Sequence, residues 1–114
     1  DRVVIAGASD VGIFLARALD EERRMQTFIV EAEEHAANTA AAGLRRTTVI
    51  NGDPLSSEVL SDIGITSNTA FIGCLHNEEH NIIASLLARK YGAGMTVTQV
   101  WGPRRHGPAN LYAI

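Results

Sequence analysis

The chain has 114 residues, 12.2 kDa, a formal net charge of -3 and a pI near 5.7, with 46% hydrophobic and 20% charged residues. That is enough for one packed core and too little for two ordinary domains. The acidic balance and the lack of an extended Lys/Arg cluster, with the basic spot at Arg104 and Arg105 too small to change this, leave no electrostatic footprint for nucleic acid. A single cysteine excludes a disulfide framework and fits a reducing compartment, and no apolar stretch approaches the roughly 20 residues of a membrane span. A start at Asp1, almost directly in a strand, reads as a piece of a longer polypeptide.

Arg2 to Gly12, RVVIAGASDVG, organises the rest. Val3, Val4, Ile5 and Ala6 form an apolar, β-branched run of the kind buried on both faces of a parallel sheet. Gly7, Ser9, Asp10 and Gly12 follow, and then a helix from about Asp10 to Asp20, with Val11, Leu15, Ala18 and Leu19 expected against the sheet. Strand, glycine turn and helix open a mononucleotide-binding βαβ unit, because the turn offers free helix N–H groups to a phosphate and Gly7 has no Cβ to block it. The fingerprint is incomplete: Ser9 stands where a second glycine lets the backbone approach a pyrophosphate, and Asp10 adds a negative charge. The Asp20 to Arg24 run, DEERR, reads as a solvated connection.

Thr27 to Val30 form a second strand ending in Glu31, 19 residues beyond Gly12. An acid at that tip and distance accepts hydrogen bonds from a ribose diol and disfavours a 2′-phosphate. Glu31 is equally the first of an acidic group with Glu33 and Glu34 at the next helix start. That Ala-rich helix, Glu33 to Ala42, ends at Gly43. Thr47 to Ile50 make a third strand that delivers Asn51, Gly52 and Asp53. Asp53 before Pro54 reads either as a helix N-cap or as a contact for the adenine end of a ligand.

A short helix through Glu58, Val59, Leu60 and Ile63 closes at Gly64, and TAFIGCL, Thr69 to Leu75, reads as a fourth strand. His76 and Asn77 lead into a longer helix, with Asn77 as cap and Ile82, Ile83, Leu86 and Leu87 as its apolar face. Met95 to Val100 make a fifth strand, and Arg104 to Ile114 looks like the start of another helix. The alternation predicts a Rossmann-like α/β sandwich over residues 1–114, with a parallel sheet of order 3-2-1-4-5 and a ligand crevice at the tips of strands one and four. The literal H-x-x-E-H of His76 to His80 does not make a zinc site, because His76 precedes the cap and the βαβ signal stays unexplained. Cys74 reads as a core thiol, and His35 and His106 as isolated and exposed. There is no room for the substrate domain of a dehydrogenase, so a small NAD-dependent oxidoreductase is the weakest alternative and no catalytic residue is assigned.

Several stretches together resemble the TrkA N-terminal and RCK (KTN) nucleotide-binding domain family of potassium transport, and more narrowly the second such domain of Trk uptake regulators. These are RVVIAGASDVG, FIVE ending at Glu31, VINGDPLSSEVLSDIGI from Val49, and above all AFIGCLHNEEHNIIASLLARKYGA, with Glu79, Asn81 and Ile82. The resemblance implies a non-enzymatic regulatory domain that binds NAD or NADH, or ATP or ADP, and self-associates through the sheet edge and a C-terminal helix. It also implies control of a membrane potassium transporter subunit from the cytoplasmic face. It places the phosphate turn on Gly7, Ser9, Asp10, Val11 and Gly12, the ribose acid on Glu31, adenine-side contacts on Gly52 and Asp53, and the far side of the cleft on Leu75, His76 and Asn77. Leu75 and His76 depart from the family's small polar turn. A member that keeps the fold for assembly but binds no nucleotide is the alternative. The family's closing strand is expected to be missing, leaving Leu111, Tyr112 and Ile114 exposed.

Overall fold

A computed structural model describes residues 1–101 and 109–113. The elements run β1 (Arg2–Ala6), α1 (Asp10–Asp20), β2 (Gln26–Glu31), α2 (Glu34–Gly43), β3 (Thr48–Asn51), α3 (Ser57–Ile63), β4 (Thr69–Gly73), α4 (Glu78–Lys90), β5 (Met95–Trp101) and β6 (Ala109–Ala113). The sheet order is β3-β2-β1-β4-β5-β6, and its first five strands are parallel, in the order the sequence predicts. β1 is central, pairing Val4 with Phe28 on one side and Phe71 on the other. Successive strands are added outward on one side of β1 (β2, β3) and then on the other (β4, β5), so the strand order reverses at β1 and the β1 and β4 tips form the switch point.

Alternation along the strands sends their side chains to two cores. Val3, Ile5 and Ile29 pack against α1 through Ala16, and Cys74 closes that layer. Val4, Ala6, Phe28, Val30 and Phe71 pack against Leu60 and Ile63 of α3 and Ala84 and Ala88 of α4. Cys74 is fully buried, and desolvation pushes its thiol up to about 12, so it is the expected core thiol and a poor nucleophile.

Four expectations are corrected. Of the expected α1 stripe, Val11, Leu15 and Leu19 pack against the sheet core, but Ala18 is exposed, and Gly12 and Ala16 are buried there. Small residues, Gly12 and Ala16, lie at the centre of the contact, and Val11, Leu15 and Leu19 flank it against the same core. α4 is rotated relative to its expected apolar face, burying Asn81, Ala84, Ser85 and Ala88 while Ile82, Ile83 and Leu86 are 40%, 52% and 53% exposed. Of the expected four, Leu87 alone packs inward, as a partly buried residue. The cause is Asn81, whose hydrogen bonds require it to face the sheet.

The third correction is at the chain end, where Ala109–Ala113 form a sixth strand antiparallel to β5, with Thr98 opposite Tyr112, in place of a helix. In sequence, Gly107 and Pro108 interrupt a helical run, while the outer edge of β5 offers unpaired N–H and C=O groups that a returning strand satisfies. Leu111 is 45% exposed. The expected roles of Arg104, Arg105, His106 and Ile114, and of the Tyr112 side chain, lie outside what is described.

The fourth concerns Asp20, which is not part of a solvated run. It is buried at 7% exposure and its carboxylate accepts the N–H groups of Arg45, Arg46 and Thr47 and the Thr47 hydroxyl, each at 2.8 Å. Burial alone raises a carboxyl pKa, but the donors from Arg45, Arg46 and Thr47 outweigh it and hold Asp20 down to about 2, from 3.8. A lowered acid pKa stabilises the fold above the unfolded value and loses that contribution as pH falls through the folded one. The shift corresponds to about 2 kcal/mol at most, trimmed by solvent near the carboxylate. Asp20→Asn is therefore expected to lower urea-measured stability by about 1 kcal/mol at neutral pH, with the gap to wild type closing as pH falls from about 4 to about 2. A gap independent of pH would rule this account out.

Candidate functional site

The glycine turn is built by backbone constraints. Gly7 has φ +107°, and its N–H donates to the Val30 carbonyl at 2.8 Å, so the chain leaves β1 while still tied to β2. A Cβ there would lie 2.8 Å from the Cys74 oxygen and 3.1 Å from Leu75 Cδ2. Leu75 therefore borders the turn directly. A Cβ on Gly12 would lie 2.1 Å from the Gly7 oxygen, which explains the glycine at the first buried turn of α1.

Ser9 is the N-cap of α1. Its Oγ accepts the Gly12 N–H at 3.3 Å and donates to the Cys74 carbonyl at 2.7 Å, and the Ile13 N–H is taken by the Ser9 carbonyl. The N–H groups of Asp10 and Val11 find no acceptor among the described residues. Two donors at a helix N-terminus thus face outward at the switch point, with the Asp10 carboxylate exposed beside them.

Glu31 lies at the tip of β2 and reaches the glycine turn. Its Oε1 accepts the Ala8 N–H and its Oε2 the Glu33 N–H, both at 2.8 Å. Each oxygen keeps lone pairs for a further donor. Its backbone carbonyl accepts the Gly52 N–H at 3.0 Å and Asn51 Nδ2 at 3.0 Å, which fastens the β3 tip to the β2 tip. Glu33 caps α2 instead of starting it, and its carboxyl is held below the ordinary range by the N–H groups of Ala36 and His35. Asp53 is not the cap of α3. Ser56 is, while Asp53 Oδ1 accepts the Leu55 N–H at 2.8 Å in an Asx turn that begins three residues earlier.

On the far side, His76 and Asn77 are exposed and Leu75 is partly buried. Asn77 caps α4 by accepting the His80 N–H at 2.9 Å, so His76 stands outside the helix as expected. The residue that shapes this lip is Asn81, fully buried. Its Oδ1 accepts the Leu75 N–H at 2.7 Å, and its Nδ2 donates to the carbonyls of Leu75 and Gln99, both at 2.9 Å. Gly73 leaves the room: a Cβ there would lie 3.1 Å from Asn81 Oδ1. Sequence reasoning placed Asn81 in a motif but gave it no role. A signal was present, because an asparagine inside a helix sacrifices propensity unless its amide is used.

All the expected site residues stand at the carboxyl ends of β1 to β4. The glycine turn, Glu31 and the Leu75 turn are joined by direct hydrogen bonds or contact, Gly52 joins through the Glu31 backbone, and Asp53 is turned toward its own loop. Among the described residues no group of three or more His, Cys, Asp or Glu side chains is placed to hold a metal ion, and no helix is long and apolar enough to cross a membrane.

A family model described as the TrkA-N domain matches residues 3–104. The chain is 30% identical over 93 residues to the Trk system potassium uptake protein TrkA of Azorhizobium caulinodans, covering 81% of this chain and 20% of that protein. It is 25% identical over 99 residues to the Trk system potassium uptake protein TrkA homolog 2 of Methanosarcina mazei, covering 87% and 22%. The chain thus spans about a fifth of the length of these relatives. An rRNA methylase from Streptococcus thermophilus superposes with a TM-score of 0.59 at 13% identity, covering 90% of this chain and 63% of the methylase, a likeness of fold alone.

Proposed function

The chain belongs to the TrkA-N domain family, and from that premise we propose that it is a nucleotide-responsive regulatory domain of a potassium-uptake system. The family is one of regulatory domains, and the reading is of binding without catalysis. The observation that carries it is the meeting of Glu31 with the glycine turn, beside the two free N–H groups of α1. A pyrophosphate would take the Asp10 and Val11 N–H groups, with Gly7, Ser9 and Gly12 shaping the approach. A ribose diol would donate to the remaining lone pairs of Glu31, and the adenine end would extend toward Gly52 and Asp53. Leu75, His76 and Asn77 would border the other half of the ligand. An acid at Glu31 repels a 2′-phosphate, so NAD or NADH is preferred over their 2′-phosphorylated forms, and ATP and ADP fit the same phosphate and ribose positions.

Regulation then requires that ligand prefer one conformation of the domain. Its readers would be a second copy of the domain and a membrane potassium transporter subunit at the cytoplasmic face, with the exposed Ile82, Ile83 and Leu86 of α4 as contact candidates. A second reading, a domain retained for assembly without nucleotide, is favoured by the commitment of the Ser9 hydroxyl to Cys74 and by Leu75 against the turn. Calorimetric titration with NADH, NAD, ATP and ADP separates the two. Saturable binding of one of them, weakened about tenfold or more by Glu31→Ala, is the expected result, since hydrogen bonds to a charged acceptor contribute about 1.5 to 3 kcal/mol. No binding by folded protein establishes the assembly reading.

A further inference from the structure

One hydroxyl joins the two lips of the crevice. Ser9 Oγ gives its proton to the Cys74 carbonyl at 2.7 Å, across 65 positions of sequence. The segment it holds continues directly into α4: the Cys74 N–H is paired with the Ala6 carbonyl at 2.8 Å, and Asn81 holds both the N–H and the carbonyl of Leu75. Asn77, two residues on, is the α4 cap. A serine hydroxyl has one proton to donate. While that proton is on Cys74, it is withheld from any group arriving at the Asp10 and Val11 N–H groups.

A phosphate oxygen is a charged acceptor and takes a hydrogen bond more strongly than a neutral carbonyl does. We propose that Ser9 is a latch: a phosphate group seated at the N-terminus of α1 draws the Ser9 O–H away from Cys74 and so removes the side-chain tie between the glycine turn and the Cys74–Asn77 turn. That turn then moves more freely on its remaining bonds to Ala6 and Asn81. No covalent bond changes; one hydrogen bond is exchanged for another. The inference rests on the nucleotide reading above and supplies its regulation. It gives the ligand a differential contact in two states of the domain, without which it could shift nothing. The loosened turn leads into the Asn77 cap of α4, so the exchange reaches the helix that carries the outward Ile82, Ile83 and Leu86.

Amide hydrogen exchange over Cys74–Asn77 tests this in wild type, Ser9→Ala and Ser9→Gly, each free and with saturating NADH, and in wild type with inorganic pyrophosphate. Ser9→Gly is included because glycine remains a serviceable cap, which separates latch loss from fraying of α1. NADH is expected to speed exchange of this segment about fivefold in wild type, as loss of one hydrogen bond of ordinary strength allows. Both variants are expected to show the faster exchange already without ligand and to respond no further. Pyrophosphate acting like NADH would assign the trigger to the phosphates. Wild type that binds NADH with unchanged exchange, or a variant that responds as wild type does, overturns the latch and leaves the nucleotide reading standing. Wild type that binds neither NADH nor pyrophosphate overturns both.

Discussion

Gly12→Ala is expected to cost about 3 kcal/mol or more in urea denaturation, a large part of the roughly 5 to 15 kcal/mol that holds a domain folded. The added methyl would sit 2.1 Å from the Gly7 oxygen and 3.4 Å from Ile5 Cγ2. The first neighbour is backbone and is itself fixed, because Gly7 is tied to Val30 and borders Cys74. Relief therefore requires α1 to lift from the sheet, which opens the layer formed by Ala16, Ile5 and Ile29. Gly43→Ala is the matched control. Gly43 closes α2 with a helical backbone, and its Cβ would meet only Arg17 Nη2, at 3.9 Å, in the groove of about 340 Å³ between α1 and α2. Removing backbone freedom from the unfolded chain should there be neutral or stabilising, by up to about 1 kcal/mol. Equal losses at the two positions would mean that general backbone effects, not the contact with Gly7, set the cost.

The parallel sheet was legible because each strand is a short apolar run bounded by turn signals, and the β-branched run Val3 to Ala6 before Gly7 reads as a strand covered on both faces. The meeting of the glycine turn with Glu31 was legible because spacing and strand context agree, and the hydrogen bond from Ala8 to Glu31 joins them in space. What escaped were the places where a polar side chain overrides local pattern. The α4 sequence carries a good apolar stripe, yet Asn81 turns that stripe outward by bonding two backbone segments that periodicity knows nothing of. Asp20 opens a charge run, but three N–H groups from the α2–β3 connection converge on it. Asp53 before Pro54 has the form of a cap, and Ser56 takes that role because the chain first makes an Asx turn. β6 depends on the free edge of β5, a partner defined only once the sheet exists.

Asn81→Ala should be the most damaging truncation at the far lip. It removes an acceptor from the Leu75 N–H and a donor from the Leu75 and Gln99 carbonyls, with Asn81 itself fully buried. Three hydrogen bonds at about 1 kcal/mol each, with part of their backbone partners left dry, set the expected loss near 3 kcal/mol. Asn81→Asp separates shape from hydrogen bonding. The introduced carboxylate still accepts from Leu75 but confronts two carbonyl oxygens where the amide donated, so its protonated form is the better fit and its folded pKa is raised. The sign follows from linkage: the penalty is small below the unfolded value of about 4 and grows as pH rises through the folded one. Stability that improves on acidification in Asn81→Asp, and in neither wild type nor Asn81→Ala, is the expected signature. If Asn81→Asp and Asn81→Ala share one pH profile, the amide is not the donor to the two carbonyls, and another cause must hold α4 with its apolar residues toward solvent.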